Sequence, residues 1–298
     1  MTAGAPLHVL TGPTAVGKTE AALTWAERHD AEILSCDSVC VYRGMDIGSA
    51  KPTAEQQARV RHHGIDLVPP QERFSVAQYV EQARTAIADA TARGKRLLVT
   101  GGSGFYLAAF FGPVTDELPI GEAVINEVRE LQARGPEAVL ARLREAEGRE
   151  LPDWLDQRNP IRVAKALERR LASGRSLTEL RDDFLQRPGP FAGHTVTCEL
   201  LERPDDELRR RIAQRTREML RDGLIDEAAH LLSLNLDPEL PSARAVGYRA
   251  AMDWIQGGRS VALDGLAERI DLDTWALVRK QRKWFRRLGL SPGLNGPF

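Results

Sequence analysis

The sequence predicts an α/β fold in which a parallel sheet is flanked by helices and interrupted by an all-helical insertion. Short apolar runs alternate with amphipathic helical patterns in the first third of the chain. Only helical patterns occur from about residue 113 to 190, and the segment 194–200, with apolar residues at every second position, then resumes the strand pattern. Strands joined through helices pair in parallel, so we expect the strands to form one sheet.

Apolar spacing places the core elements. Residues 7–10, 32–36 and 96–100 are short buried-strand candidates, and 194–200 is a fourth. The helical patterns of this part fall, in chain order, at 18–29, 74–93, 204–222 and 225–234, with closing helices that end at 288.

The insertion is predicted from three charged, amphipathic segments at 122–134, 136–147 and 159–173. Glycine or proline separates them, and none has the pattern of a strand. We therefore expect two domains. Residues 1–112 and 191–298 form the α/β catalytic core, and residues 113–190 form the helical insertion.

Composition excludes several protein classes. The 298 residues are 42% hydrophobic, 28% charged and 6% aromatic, without a run of the roughly 20 apolar residues that a membrane span needs. The N-terminus lacks the basic region of a signal peptide, so we expect a cytoplasmic protein without membrane contact. The three cysteines are odd in number and lack zinc-type spacing with histidine, which argues against a disulfide framework or a structural zinc.

A glycine-rich loop follows the first predicted strand and matches the pattern G-x-x-x-x-G-K-[ST]. Its backbone N–H groups, the following helix N-terminus and the lysine are suited to a polyphosphate, while the final threonine can ligate Mg²⁺. The sheet is therefore expected to be P-loop NTPase-like, with Mg²⁺ as cofactor and Thr19 as its ligand. The predicted diphosphate-binding residues are Gly12, Pro13, Thr14, Ala15, Val16, Gly17, Lys18 and Thr19.

Asp37 follows the second predicted strand, at the sheet edge where the loop also lies. The third strand ends in Thr100-Gly101-Gly102-Ser103, without an acid. From the residues alone, Asp37 is a metal ligand, a general base or a helix N-cap.

The C-terminal segment is basic although the net charge of the chain is −1. Residues 279–298 contain no acidic residue and six basic ones, which are Arg279, Lys280, Arg282, Lys283, Arg286 and Arg287. Such a helix can neutralise nucleic-acid phosphates. The alternative is a solvated helix that Trp284 and Phe285 anchor.

Several further segments, together with the loop, resemble the tRNA dimethylallyltransferase family, also called tRNA isopentenyltransferases. The resemblance extends over most of the chain. Its segments are Asp37-Ser38, the stretch Val41-Tyr42-Arg43-Gly44-Met45-Asp46-Ile47-Gly48-Ser49-Ala50-Lys51-Pro52, His62-His63-Gly64-Ile65-Asp66, Gly101-Gly102-Ser103-Gly104-Phe105-Tyr106, Arg211-Ile212-Ala213-Gln214-Arg215, Ala245-Val246-Gly247-Tyr248-Arg249 and Lys280-Gln281-Arg282-Lys283-Trp284-Phe285-Arg286.

This resemblance implies transfer of a dimethylallyl group from its diphosphate to the exocyclic N6 amine of the adenosine 3′ of a tRNA anticodon, with Mg²⁺. It implies that Asp37 is the base, that Arg215 contacts the diphosphate, and that Ser103 orients a substrate where the family commonly has threonine in Gly-Gly-Thr-Gly-Leu-Tyr. Lys51 and Tyr106 are weaker candidates for lining the channel in which these substrates bind. We expect a monomer.

The resemblance also implies where the tRNA anticodon stem-loop binds, including the helical insertion. In that insertion Ile161 replaces the family's glutamine and Lys165 replaces an arginine, so the contacts there are expected to differ. The implied tRNA-binding residues are Asp37, Ser38, Val39, Cys40, Ile161, Arg162, Val163, Ala164, Lys165, Lys280, Arg282 and Lys283.

Two other functions use the same features. A P-loop small-molecule or nucleoside kinase would use the loop to hold ATP, and a non-catalytic RNA-binding module would use only the basic surface.

Overall fold

The computed structural model describes residues 4–115, 118–259 and 261–292. The chain forms two compact units, Met1–Val114 with Gly189–Phe298, and Thr115–Pro188. Residues 1–3 and 293–298, which the sequence pattern assigned to the core domain, lie outside the described residues. Among the helices that are described, none is both long and apolar enough to cross a membrane.

The first unit contains a five-stranded parallel sheet, as predicted for the fold class. Its strands have the order β3-β2-β4-β1-β5. The two-residue strand β3 was not predicted, because two residues are too few to show an alternating pattern. The strands are β1 (Gly4–Thr11), β2 (Ala31–Ser35), β3 (His62–His63), β4 (Arg96–Gly101) and β5 (His194–Leu200).

Helices cover both faces of this sheet. Their bounds are α1 (Lys18–His29), α2 (Ala54–Arg59), α3 (Val76–Ala92), α4 (Gly104–Ala108), α9 (Asp205–Asp222), α10 (Leu224–Ser233), α11 (Tyr248–Gln256) and α12 (Leu263–Arg287). Residues of α3, α10, α11 and α12 share a core with Val9 and Val99, whereas α1 packs against Leu10 and Leu98. Neighbouring strand residues are thus buried on opposite faces, which is why β1, β2 and β4 contain consecutive apolar residues, whereas the edge strand β5 alternates.

The second unit is entirely helical in the residues described. Its helices are α5 (Glu122–Ala133), α6 (Pro136–Glu147), α7 (Pro160–Ser173) and α8 (Leu177–Gln186). The short helix α8 was not predicted, although Ser176 and Glu179 form a capping box at its start. The buried carboxylate of Glu147 also accepts the Leu177 N–H and forms ion pairs with two arginines of this unit.

Candidate active site

Three neighbouring strands bring the candidate residues to one edge of the sheet. The glycine-rich loop (residues 12–19) follows β1, while Asp37 and Ser103 each lie two residues beyond the ends of β2 and β4. Hydrogen bonds continue between the strand exits. The Cys36 N–H donates to the Thr100 carbonyl at 2.7 Å, and the Ser103 N–H donates to the Cys36 carbonyl at 3.1 Å. These bonds fix Asp37 and Ser103 on adjacent chain segments.

The glycine-rich loop closes around its own lysine. Gly17 has φ 104°, in the left-handed region where a side chain is strained, and α1 begins at the next residue. The Lys18 ammonium donates to the carbonyls of Gly12 at 2.9 Å and Pro13 at 2.8 Å. Lys18 is therefore held in the loop, in reach of any anion bound there.

Arginines support the outer side of this loop. Arg203 donates to the Val16 carbonyl at 2.7 Å, and Arg211 donates to the Ala15 carbonyl at 2.6 Å. Arg215 donates to the Thr14 hydroxyl at 3.1 Å. The family resemblance selected Arg215 but not the other two loop contacts, for which the high arginine content of 203–217 was the available signal.

Lys18 and Arg215 lie with the Asp37 carboxylate at these strand exits, in a partly dehydrated environment. Burial lowers the pKa of Lys18 to about 8; the Asp37 carboxylate opposes this shift and Arg215 adds to it. Burial also lowers the pKa of Arg215, again against the attraction of Asp37. These couplings show that Lys18, Asp37 and Arg215 act on one another electrostatically.

Asp37 is held in a turn. One carboxylate oxygen of Asp37 accepts the Val39 N–H at 2.8 Å, and residues 38–41 are a turn. The next helix begins only at Ala54. The helix N-cap alternative is therefore wrong, whereas the general base and metal ligand alternatives stay open.

Ser103 precedes α4, but its hydroxyl does not cap that helix. The side chain is half-buried at the exit of β4. A hydroxyl in this position can hydrogen-bond a substrate.

We expect Ser103→Ala to lower the single-turnover rate about ten- to a hundredfold, the usual effect of losing a hydrogen bond to a charged group. Ser103→Thr keeps the hydroxyl and should retain most of the activity. Rapid-quench measurement of prenyl transfer to tRNA compares the three proteins. An alanine variant as fast as the wild type would remove Ser103 from the reaction.

Gln281 is a site residue that the sequence pattern did not reveal. It lies on α12, is 7% exposed and connects the glycine-rich loop with the exit of β4. Its side-chain oxygen accepts the Thr14 N–H at 2.9 Å, and its amide nitrogen donates to the Gly102 carbonyl at 3.2 Å. It therefore sets the spacing between the glycine-rich loop and the exit of β4.

Replacing Gln281 with methionine keeps the side-chain volume and removes both hydrogen bonds. We expect kcat/KM to fall by about a hundredfold, because small displacements of a reacting group cost that much. The fall should come mainly through kcat, with tRNA affinity unchanged. Steady-state kinetics and a binding titration measure the two effects, with Gln82→Met on the exposed side of α3 as the matched control. Equal effects of the two substitutions would contradict this role.

Burial corrects part of the predicted tRNA-binding set. Cys40 is 4% exposed, while Val163 and Ala164 lie in the core of the helical unit at 2% and 3% exposure. These three side chains are not on the surface that RNA can reach. Ser38, Ile161, Arg162 and Lys165 are exposed, and Val39 is half-buried.

The two weaker candidates for the substrate channel, Lys51 and Tyr106, are buried and contact other residues of the protein. The Lys51 ammonium is buried and bonded to Asp46, Asp66 and the Tyr42 carbonyl at 2.5, 2.6 and 2.7 Å. Tyr106 is 4% exposed and stacks on Tyr79 with ring centroids 4.1 Å apart.

The basic part of α12 divides into one paired and several exposed cations. Arg282 forms an ion pair with Asp205 at 2.7 Å. Lys280 and Lys283 are exposed, as are Arg279, Arg286 and Arg287. The exposed cations are therefore the stronger candidates for phosphate contact.

Comparison with known proteins gives one consistent result. Residues 40–288 match the family model described as IPP transferase. A tRNA dimethylallyltransferase of Opitutus terrae is 51% identical over 280 residues, which cover 94% of this chain and 89% of that protein. One of Roseiflexus sp. is 40% identical over 288 residues, covering 95% and 90%.

Solved structures agree with this result. The full-length tRNA isopentenylpyrophosphate transferase of Bacillus halodurans is 30% identical and has a TM-score of 0.64, with 94% of this chain and 86% of that chain covered. A eukaryotic dimethylallyltransferase acting on tRNA has a TM-score of 0.78 over 95% and 70% of the chains; at 20% identity it supports the fold alone.

Proposed function

The chain belongs to the IPP transferase family, and from this premise we propose that it transfers a dimethylallyl group from dimethylallyl diphosphate to tRNA. The acceptor is the N6 amine of the adenosine 3′ of the anticodon, and diphosphate is released. One observation carries the proposal beyond the family. A phosphate-type loop holding Lys18 lies at the same sheet edge as Asp37, whose carboxylate raises the pKa of both Lys18 and Arg215 against the effect of burial.

The loop is suited to a leaving group. Cleavage of the allylic C–O bond places negative charge on the departing diphosphate. Lys18, Arg215 and the loop N–H groups are fixed donors before the reaction starts, so they stabilise the transition state without reorganising.

Asp37 is suited to the other half of the reaction. The adenine amine becomes acidic as its nitrogen bonds to carbon, and a carboxylate held by the Val39 N–H accepts that proton. Ser103, on the adjacent segment, orients the amine or the diphosphate through its hydroxyl.

The residues at the loop fit a Mg²⁺ ion that is coordinated by both the protein and the substrate. The Thr19 side chain is exposed in the first turn of α1. No group of three or more His, Cys, Asp or Glu able to hold a metal occurs in the described part of the chain. Mg²⁺ commonly keeps several waters and shares substrate phosphates, so Thr19 and the diphosphate suffice. Bound there, it would neutralise charge on the leaving group.

The exposed cations of α12 supply the RNA contacts of this proposal. We expect Lys280→Ala/Lys283→Ala to weaken binding of all substrate tRNAs alike, because phosphates carry no sequence information. The slope of log K against log salt should become shallower by about 0.7 to 0.9 for each lysine–phosphate pair that the substitutions remove. Filter binding at several salt concentrations measures it. Arg61→Ala/Arg96→Ala removes equal charge at the opposite, amino-terminal edge of the sheet and should leave the slope unchanged.

Donor consumption tests the proposal against its alternatives. The protein is incubated with dimethylallyl diphosphate or ATP, each with and without tRNA. Prenyl transfer predicts that dimethylallyl diphosphate is consumed only when tRNA is present. ATP consumption would favour the kinase, and RNA binding without consumption of either donor would favour a binding module. Action as a monomer in the cytoplasm stays a prediction of the sequence.

A further inference from the structure

Phe105 is an exposed aromatic side chain beside the candidate active site. It lies in α4, two residues after Ser103, and is 62% exposed. The next two residues of the same helix, Tyr106 and Leu107, are almost completely buried. A large apolar ring is thus exposed to water only two residues along the chain from Ser103, a backbone separation of at most about 7 Å.

Trp284 of α12 supports this ring. The ring centroids of Phe105 and Trp284 are 4.8 Å apart, at an interplanar angle of 55°. Trp284 approaches the α4 backbone so closely that a Cβ on Gly104 would lie 2.2 Å from its ring. Glycine at 104 is therefore required for this contact. Arg287 lies over the Trp284 ring, with its guanidinium carbon 5.4 Å from the centroid.

These three side chains contact one another in series, Phe105 with Trp284 and Trp284 with Arg287, and are here called the aromatic platform (Phe105, Trp284 and Arg287). Its surroundings are cationic, because α12 carries the exposed Lys280, Lys283 and Arg286 and has no acidic residue after Asp273. Flat π surfaces framed by cations are the usual binding sites of unpaired bases, whose phosphates meet the charges. The reactive allylic group is a poor occupant, because a ring that is 62% exposed cannot shield it from water.

We propose that the aromatic platform stacks an unpaired base of the RNA substrate, next to the adenosine that reacts. This inference rests on the proposed function and adds a base-binding residue to it. Phe105 supplies the stacking face, Trp284 fixes its orientation, and Arg287 covers the Trp284 ring. Stacking one base there would hold the neighbouring adenosine at the strand exits that carry Asp37 and Ser103.

The test compares Phe105→Leu, Phe105→Ala and Phe105→Trp with the wild type. Leucine keeps an apolar side chain of similar size and removes the π face, whereas tryptophan enlarges it. The affinity for an anticodon stem-loop RNA should fall about five- to a hundredfold in both the leucine and the alanine variants. It should be retained in the tryptophan variant. The slope of log K against log salt should stay that of the wild type, because none of these substitutions removes a cation.

A fluorescent probe reports the stacking itself. Stem-loop RNAs carry the fluorescent base aminopurine on one or the other side of the target adenosine. Wild-type protein should quench one of these probes, and Phe105→Leu should abolish that quenching. Leu272→Ala, at a residue of α12 that is 64% exposed, is the matched surface control and should behave as the wild type.

Three results would overturn the inference. Wild-type RNA affinity in Phe105→Leu would show that any apolar side chain serves. A raised KM for dimethylallyl diphosphate with unchanged RNA affinity would assign Phe105 to the prenyl group. A wild type that binds the stem-loop RNA without quenching either probe would exclude stacking. A wild type that transfers no prenyl group at all would contradict the proposed function instead, since the binding readouts need no catalysis.

Discussion

Lys18→Ala is expected to lower kcat/KM for dimethylallyl diphosphate by at least about a hundredfold, the usual cost of removing a fixed donor from developing negative charge. The lysine is held in the glycine-rich loop by the Gly12 and Pro13 carbonyls, whereas the exposed cations proposed for RNA lie on α12. Affinity for tRNA should therefore stay within a few-fold of the wild type. Steady-state kinetics and an RNA binding titration give the two values, and equal loss of both would contradict separate sites.

Two controls accompany this variant. Thermal unfolding of Lys18→Ala and of the longer Lys18→Met shows whether loss of the bonds to Gly12 and Pro13 destabilises the loop. The pH profile is the second control. The pKa of Lys18 is lowered to about 8, so in the free wild type its charge is lost as pH rises through that value. Affinity for the diphosphate should weaken above it, and this alkaline loss should be absent in Lys18→Ala.

Asp37→Asn is expected to slow the chemical step by more than about a hundredfold, within the range for a positioned general base. Asparagine keeps the size of the side chain and an oxygen that accepts the Val39 N–H, so the turn should persist. Only the basicity and the charge are lost. Single-turnover transfer at saturating substrates measures the effect, and an unchanged rate would assign Asp37 to the turn alone.

A magnesium titration separates the two remaining roles of Asp37. If the carboxylate is the base, raising the Mg²⁺ concentration should not restore the rate of Asp37→Asn. Restoration at high Mg²⁺ would identify Asp37 as a metal ligand. Diphosphate binding to the variant is measured in parallel, because loss of one negative charge beside Lys18 and Arg215 should strengthen it slightly.

The longer helices and strands were predictable from local patterns, whereas the short helices α2 and α4 were not predicted. Helix α1 begins at Lys18 and ends at His29 as expected, because the glycine-rich loop marks its start and its apolar residues recur at helical spacing. Strand β3 and helix α8 were missed because neither has a clear apolar pattern. The strand is only two residues long, and α8 has a single buried residue, Leu177, so its apolar period is weak.

The positions of site residues could be predicted where they lie in a local motif or at the end of a strand. They could not be predicted where contacts between distant segments of the chain bring a residue to the site. Lys18 followed from the loop motif and Asp37 from its place after the second predicted strand, whereas Ser103 was selected by the resemblance to the family. Gln281 could not be found in this way, because its partners lie 267 and 179 residues away and depend on how α12 packs.

A second error was to assign every residue of the contiguous stretch 161–165 to tRNA binding. In α7 successive side chains point in different directions, so Val163 and Ala164 enter the core while Ile161, Arg162 and Lys165 stay exposed. A segment that resembles a binding motif must therefore be divided by helical period before residues are assigned.

The most direct test of the account is the mass of RNA after incubation with the protein, Mg²⁺ and dimethylallyl diphosphate. Two anticodon stem-loops are used, one with adenosine and one with guanosine 3′ of the anticodon. Transfer to the N6 amine predicts that only the adenosine RNA gains one dimethylallyl group in place of one hydrogen, at that nucleoside, with release of one equivalent of diphosphate. No gain in mass, or the same gain on both RNAs, would contradict it.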